Sequence, residues 1–139
     1  MKTFAICTLI VASIWINPPS LQAQEKGTVA VIYYWKARQG KLADYNRYIR
    51  EIAEPIDAEA QRHGAFISVT TFLSQKEDGT WTHMRVFILK DRAQLDKLPE
   101  ALDAAGARLE PDETKRKARA EYAATLRDRV SQELVEILK

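Results

Sequence analysis

The sequence predicts an α+β domain built on an antiparallel sheet, and three observations lead to this class. Residues 28–37, 65–74 and 81–90 are rich in β-branched and aromatic residues, which favour strands. An Asp78-Gly79 pair separates the second and third segments, which is a strong hairpin signal. The other segments carry apolar residues three or four positions apart, the spacing of one helical face. The predicted order is strand, helix, strand, strand, helix and a long final helix.

The first strand is predicted at residues 28–37, TVAVIYYWKA, and it is apolar on both faces. A helix is then predicted from residue 41 to residue 63. Pro55 lies inside it and should kink or split it, and Gly64 is placed to end it. The apolar stripe of this helix is Leu42, Tyr45, Ile49, Ile52, Ile56 and Ala60.

The next two strands form the predicted hairpin. A two-residue turn at Asp78-Gly79 would pair Leu73 with Met84 on one face and Phe72 with Arg85 on the other. The face with Met84 is the more apolar, so we expect it to pack under the helices. The face with Arg85 would then form a pocket, a solvated surface or a contact with a second subunit.

The last third of the chain is predicted to be helical. Asp91 is a candidate N-cap, and Pro99 restarts a helix that ends at Gly106. Residues 112–139 are predicted to form one long helix, so a fourth strand is missing or very short, with residues 107–110 as its only candidate. The apolar stripe of the long helix is Tyr122, Ala123, Leu126, Val130, Leu134 and Ile137.

The N-terminus has the layout of a secretory signal peptide. One lysine precedes an apolar run at residues 4–16, and small and polar residues follow, with cleavage expected after Ala23. The run is too short to span a bilayer as a helix. We therefore expect residues 24–139 to form a single periplasmic or secreted domain with no membrane anchor after cleavage.

Charge and cysteine content exclude several kinds of function. The full chain has a net charge of +2, which gives no drive toward nucleic acid. The only cysteine, Cys7, would leave with the signal peptide, so a thiol nucleophile or a zinc–thiolate site is not expected. Glu59 and His63 have a spacing that can hold a metal on a helix, but two ligands favour a structural pair. We expect no metal and no cofactor.

Two stretches carry a resemblance to a known group of folds. The first is a strand that ends in a Lys-then-Gly turn before a helix with an early tyrosine pair, in the stretch VAVIYYWKARQGKLADYNRYI. The second is a hairpin whose second strand starts with an aromatic residue, in the stretch FLSQKEDGTWTHMRVFIL. Together with the element order, which is most of a ferredoxin-like sheet, they resemble the dimeric α/β barrel superfamily. That superfamily includes antibiotic-biosynthesis-monooxygenase-like and NIPSNAP-like domains. The resemblance implies a homodimer, but no position matches an established catalytic motif.

The candidate ligand-binding residues centre on His83 and Arg85, which lie two apart on a strand and so share one face. There Arg85 could hold an anionic group and His83 could move a proton. The alternative is structural, with Arg85 stacked on Phe72 and His83 bonded to Ser74. The full candidate set is Tyr34, Ser68, Thr70, Trp81, His83 and Arg85.

Three functions are consistent with this sequence, and whether the protein is an enzyme is left open. The first is a domain that binds a small ligand or acts structurally. The second, implied by the resemblance alone, is a cofactor-independent monooxygenase or a haem-handling enzyme. The third is a protein-interaction module that uses the apolar stripe of the C-terminal helix.

Overall fold

A computed structural model describes residues 28–76 and 78–137 of the chain. The predicted signal peptide and its cleavage site lie outside these residues. The helical segment after the first strand is one rod in three parts, the middle part being π-helical. In chain order the elements are β1 (Val29–Ala37), α1 (Leu42–Tyr48), the π segment (Ile49–Ala53), α2 (Glu54–Arg62), β2 (Ser68–Leu73), β3 (His83–Leu89), α3 (Arg92–Leu109), α4 (Glu113–Leu126) and β4 (Arg127–Glu136).

The four strands form one antiparallel sheet in the order β2-β3-β1-β4. This order, with helices after β1 and β3, is the ferredoxin-like arrangement, so the predicted fold class is confirmed. None of the helices within the described residues is both long enough and apolar enough to cross a membrane.

Pro55 explains why the first helix is not regular. A proline has no N–H to donate to the carbonyl four residues earlier, and its ring crowds that carbonyl. The chain passes this point by widening into the π segment, and Pro55 then lies in the first turn of α2. The predicted interruption at Pro55 is thus confirmed, and π segments of this kind often lie at functional sites.

All the helices pack on one face of the sheet, which we call the covered face. Two apolar clusters form there. One joins Val31 and Phe87 of the sheet to α2 and α3, and the other joins Ala37 to Tyr45 and Leu126 of α1 and α4. The opposite face, which we call the open face, is not covered by any helix of the described chain. Its half-buried apolar side chains include Ile32, Tyr34, Met84, Val86 and Ile88.

The predicted hairpin register is wrong by one residue. In the structure Leu73 pairs with His83 and Phe72 pairs with Met84, and the Ser74 amide donates to the Thr82 carbonyl at 2.8 Å beyond the last pair. A shift of one residue moves every side chain of a strand to the other face relative to its partner. The expected packing of β3 is also reversed, since Arg85 is buried on the covered face while Met84 is on the open face.

The C-terminal helix is confirmed only as far as Leu126. The prediction that it continues to residue 139, leaving the fourth strand missing or very short, is wrong, because Arg127–Glu136 forms β4. Residues 107–109 belong to α3 instead. β4 pairs with β1 along its whole length. This pairing supplies hydrogen bonds to backbone groups on one edge of the apolar strand β1 that would otherwise lack a strand partner. Tertiary pairing outweighs the helical spacing of the apolar residues here.

This correction removes the proposed docking face on the C-terminal helix. The stripe is divided between two elements, with Ala123 and Leu126 buried at the end of α4 and Val130 and Leu134 exposed on β4. No single helical face presents these residues. The structure therefore lacks the helical surface on which the third function, a protein-interaction module, was based.

The helix after β3 begins as predicted and ends later than predicted. The Asp91 carboxylate accepts a hydrogen bond from the Gln94 amide at 3.0 Å, which confirms the N-cap. The helix then runs through both Pro99 and Gly106 to Leu109. Packing of Leu98 and Ala105 into the apolar cluster holds it together across the proline.

Candidate ligand site

A row of polar side chains lies between the two apolar clusters on the covered face. We call it the polar belt, and it consists of Asn46 from α1, Asp57 from α2, His83 and Arg85 from β3, and Arg127 at the start of β4. Asp57, His83 and Arg85 are all buried. Among the described residues no buried side-chain nitrogen or oxygen lacks a hydrogen-bond partner, so the buried polar atoms of the belt are all bonded.

His83 is fixed at both ring nitrogens. Its Nε2 lies 2.7 Å from Oδ1 of Asn46, and its Nδ1 lies 2.9 Å from the hydroxyl of Thr82. Burial, together with the nearby positive charges of Arg127 and Arg85, lowers the pKa of His83 to about 4. The imidazole is therefore neutral at pH 7, and both contacts are satisfied when Nε2 donates to Asn46 and Nδ1 accepts from Thr82.

Arg85 and Asp57 form a buried ion pair between the sheet and α2. Arg85 also donates through Nε to the Thr71 hydroxyl at 3.3 Å, and its guanidinium lies 5.2 Å from the centre of the Phe87 ring. Burial raises the pKa of Asp57 to about 6, although the charge of Arg85 acts in the opposite direction. The pair links the helix layer to the sheet at the middle of the covered face.

Arg127 reaches the belt because of a β-bulge. The β1–β4 register shifts between Tyr34 and Trp35, and the extra residue is Val130. The shift turns Arg127 onto the covered face, where its guanidinium lies 3.8 Å from the centre of the Trp35 ring and donates to the Tyr45 hydroxyl at 2.6 Å. In the described part of the chain this guanidinium forms no ion pair, so it adds an uncompensated positive charge near His83.

The polar belt opens to solvent at a cleft beside His83, which we call the His83 cleft. It has a volume of about 230 Å³ and lies between the helical rod and the β2–β3 hairpin. Donors and acceptors of several kinds converge on it. Its lining residues are Asn46, Ile49, Arg50, Glu54, Thr71, Leu73 and His83.

The structure does not bring the six predicted site residues together. His83 and Arg85 lie on the covered face, whereas Tyr34, Ser68 and Thr70 lie on the open face. Trp81 contacts Tyr34, with ring centres 5.9 Å apart. The expectation that these residues share one face is therefore wrong. For Ser68 and Thr70 the reason is the one-residue error in the hairpin register.

The structural alternative predicted for His83 and Arg85 named the wrong partners. Phe72 is on the open face, so Arg85 lies over Phe87 instead, and His83 bonds to Thr82 and Asn46 and not to Ser74. The belt residues that sequence reasoning missed are Asn46, Asp57 and Arg127. Asp57 had one available signal, because a carboxylate next to a helical apolar stripe is a candidate partner for a buried arginine.

A second cluster of charged side chains surrounds Glu59 on α2. Its Oε1 accepts from Arg108 Nε at 2.7 Å and lies 3.0 Å from His63 Nε2, and Arg62 also bonds to this carboxylate. These three side chains occupy the carboxylate, which fits the structural interpretation of the Glu59 and His63 pair. No group of three or more metal-ligating side chains occurs in the described segments.

Comparisons with solved structures support the fold. HapK from Hahella chejuensis superposes with a TM-score of 0.55 at 10% identity, covering 79% of this chain and 92% of that chain. A protein of unknown function from Bacteroides thetaiotaomicron, described as a possible oxidoreductase, gives a TM-score of 0.53 at 12% identity, covering 81% and 99%. A dimeric protein of unknown function and ferredoxin-like fold from Bacteroides fragilis gives 0.48 at 13% identity, covering 80% and 95%.

No protein-family model matches the chain, and no curated protein matches it significantly. The first two structural matches confirm the predicted resemblance at the level of the fold. The chain is a ferredoxin-like α+β domain.

Proposed function

We propose that this protein is an exported homodimer that binds a small polar ligand in the His83 cleft. The observation that carries the proposal is the convergence on this cleft of a buried, neutral His83 with the side chains of Asn46, Arg50, Glu54 and Thr71. Fixed donors and acceptors in a concave site, together with a perturbed pKa, are typical of ligand sites. The π segment lies along the same cleft.

The size and charge of the cleft define the ligand class. A volume of about 230 Å³ suits a small molecule rather than a drug-sized one. The uncompensated charge of Arg127 behind His83, together with Arg50 at the rim, favours a ligand that carries an acceptor or a partial negative charge. Glu54 on the same rim supplies a site for a donor group of the ligand.

The geometry favours binding over oxygenase chemistry. The possible-oxidoreductase description belongs to the Bacteroides thetaiotaomicron protein, which is 12% identical and shares the fold. A cofactor-independent oxygenase needs a base that can take a proton from its substrate. Both ring nitrogens of His83 are engaged, and Asp57 is bonded to Arg85, so each would have to break a buried contact before acting as a base.

The open face supports the homodimer. Its apolar side chains run across all four strands, and Phe72 and Val135 are each more than one third exposed. Contiguous exposed apolar surface usually marks a contact with another molecule. A second copy of the chain presents the same surface, so two open faces can pack on each other about a two-fold axis.

Export is proposed from the N-terminal sequence, whose charged start, apolar centre and small-residue exit match a secretory signal. Expression of the full chain followed by N-terminal sequencing of the periplasmic fraction tests this part by itself. A start at Gln24 is expected, and retention of Met1 in the cytoplasm would contradict it.

The ligand proposal is tested by NMR with a set of small polar fragments that contain carboxylates, amides and phenols. We expect hits to shift the amide signals of Asn46 and Thr71 and the imidazole signals of His83. Glu54→Gln should weaken the hits that donate a hydrogen bond to Glu54, the amides and phenols, about tenfold, the effect of about one charged hydrogen bond. Glu51→Gln is the matched control, because Glu51 is exposed on the adjoining π segment and does not line the cleft.

Two results would count against the proposal. Fragments that shift only signals outside the cleft would remove the site. Chemical conversion of a bound fragment with consumption of oxygen would instead support the oxygenase alternative, and loss of that conversion in Asp57→Asn or His83→Gln would identify the base.

A further inference from the structure

A second and larger concavity lies on the outer side of the protein, away from the polar belt. We call it the helix groove, and its volume is about 630 Å³. It is formed by the helical rod, α3 and α4, and each contributes residues at helical spacing. The lining residues are Tyr48, Ile52, Ile56, Glu100, Leu102, Asp103, Ala104, Gly106, Ala107, Arg116, Arg119 and Ala120.

The floor of the groove is apolar and built from small and branched side chains. Ile52 and Ile56 come from the rod, and Gly106 and Ala107 come from α3. A Cβ on Gly106 would lie 3.9 Å from the Cδ1 atom of Ile56, so the two helices approach closely beneath the groove. Ile52 and Ile56 are only half-buried, and a ligand over them would remove apolar surface from water.

The two rims of the groove carry opposite charges. Arg116 and Arg119 lie on the α4 rim, and Glu100 and Asp103 lie on the α3 rim. In the described part of the chain neither acid pairs with these arginines. Arg119 pairs with Glu110 at 3.3 Å instead, so Arg116 supplies the unpaired positive charge of the α4 rim. The two rims therefore orient a charged ligand, with its negative end toward α4 and any positive end toward α3.

Arg116 is held in place and still has donors available. Its Nη1 donates to the carbonyls of Glu110 and Pro111 at 2.8 and 2.9 Å, which anchors the half-buried guanidinium at the α3–α4 junction. Its Nε and Nη2 atoms make no hydrogen bond to any described residue. A preorganised guanidinium with free donors beside an apolar floor suits a carboxylate attached to an apolar body.

We propose that the helix groove binds a small amphipathic monocarboxylate. The carboxylate meets Arg116 on the α4 rim, and the apolar body lies on Ile52 and Ile56. Glu100 and Asp103 repel a second negative charge at the far rim, so the groove discriminates against dicarboxylates. This inference is independent of the ligand proposed for the His83 cleft.

The test uses three eight-carbon probes with the protein lacking its signal peptide, followed by NMR titration. Octanoate should shift the amide signals of Gly106, Ala107 and Ala120. Octanedioate should bind several-fold more weakly because its second carboxylate approaches the α3 acids. Octylamine should bind more weakly than octanoate, because the acids that its ammonium would meet, Glu100 and Asp103, are exposed, whereas Arg116 is half-buried and anchored.

Two variants separate the groove from other effects. Arg116→Gln should raise the Kd of octanoate about 10- to 100-fold, the effect of losing a charged hydrogen bond. Because Arg116 also anchors the helix junction, Ala120→Trp provides a second route, filling the groove without removing a bond. Ala118→Trp is its control, since Ala118 is exposed on the opposite side of α4 and does not line the groove.

Four outcomes would overturn the proposal. Octanoate could cause no shift in the groove, or it could bind Ala120→Trp as tightly as the unmodified protein. Tighter binding of octylamine would reverse the assigned polarity. If Ala120→Trp instead changed the oligomeric state measured by light scattering, the groove would be a contact between subunits.

Discussion

The two faces of the sheet differ in whether their side chains have bonding and packing partners within the chain. On the covered face, residues with chemical functions such as His83, Arg85 and Asp57 are buried and bonded to each other or to their neighbours. On the open face, apolar residues such as Phe72 and Val86 remain partly exposed. Burial of polar groups on one side and exposure of apolar groups on the other shows that residue polarity alone does not reveal which face a domain covers.

The difference follows from what each face packs against. The covered face meets helices that bring Asn46 and Asp57 to within bonding distance, so buried polar groups there have partners. The open face meets no helix of the described chain, and Trp81 of the β2–β3 connection packs on it against Tyr34. The proposed homodimer would cover the apolar side chains of this face, and three predictions test the contrast between the two faces.

The largest change in the free energy of unfolding is expected from a substitution on the covered face. Asp57→Ala should lower the free energy of unfolding by about 3 kcal/mol, because it leaves the guanidinium of Arg85 buried without its counter-charge. The value lies at the low end of such effects because Arg85 keeps its contact with the Thr71 hydroxyl. Urea denaturation followed by circular dichroism measures it.

The matched control for this change is Asp128→Ala. Asp128 pairs with Arg38 at 2.8 Å, but both side chains are about half exposed or more, so its loss should cost less than about 1 kcal/mol. Equal effects for the buried and exposed pairs would show that burial of Asp57 is not important, and the contrast between the faces would lose its energetic basis.

The pH dependence of stability should be weak in the unmodified protein because two shifts oppose each other. The pKa of His83 is lowered to about 4, so the unfolded chain binds more protons there and stability falls as pH falls from about 6.5 to 4. The pKa of Asp57 is raised to about 6, so the folded chain binds more protons and stability falls as pH rises from about 4 to 6.

Single variants should separate the two contributions. Asp57→Asn should lose stability as the pH falls below 6.5, by at most about 1.4 kcal/mol per pH unit. His83→Gln should instead gain stability as the pH falls from about 6 to 4. Urea midpoints at half-unit pH intervals measure both slopes. Slopes of the same sign in the two variants would contradict the opposing shifts.

The smallest effect on folding is expected on the open face. Phe72→Asp should change the unfolding free energy of the monomer by less than about 1 kcal/mol, because Phe72 is 45% exposed. It should nevertheless raise the dimer dissociation constant at least about tenfold, because it places a charge in an apolar interface. Size-exclusion chromatography with light scattering over a range of concentrations measures this.

Leu109→Asp is the control for the open-face prediction. Leu109 is 46% exposed at the end of α3 on the helix layer, so it matches Phe72 in exposure but not in location. We expect this variant to remain dimeric. Dissociation in both variants, or in neither, would show that the open face is not the subunit contact.

Local patterns in the sequence predicted the first half of the fold well. The apolar composition of β1, the interruption at Pro55 and the cap at Asp91 each depend on neighbouring residues alone, and all three are present in the structure. The β4 segment was mistaken for helix because Leu126, Val130 and Leu134 have helical spacing. Only the pairing with β1, far away in sequence, makes this segment a strand.

The candidate site was predicted in part. His83 and Arg85 were correctly placed on one face of one strand, because side chains two apart in a strand always share a face. Their partners could not be found in this way, since Asn46, Asp57 and Arg127 come from three other elements. The wrong assignment of β2 residues to this face came from the hairpin register, because an Asp-Gly pair indicates a turn but does not determine its length.

By itself the sequence determined the elements from β1 to the start of α3 and that two chemically active residues of β3 point the same way, since these properties follow from backbone preferences and side-chain periodicity. The tertiary structure decided which face the helices cover, that the chain after Leu126 is a strand, and that His83 is neutral. Each of these depends on burial and on partners distant in sequence, and the free energy of a buried polar group is set by the partners that surround it.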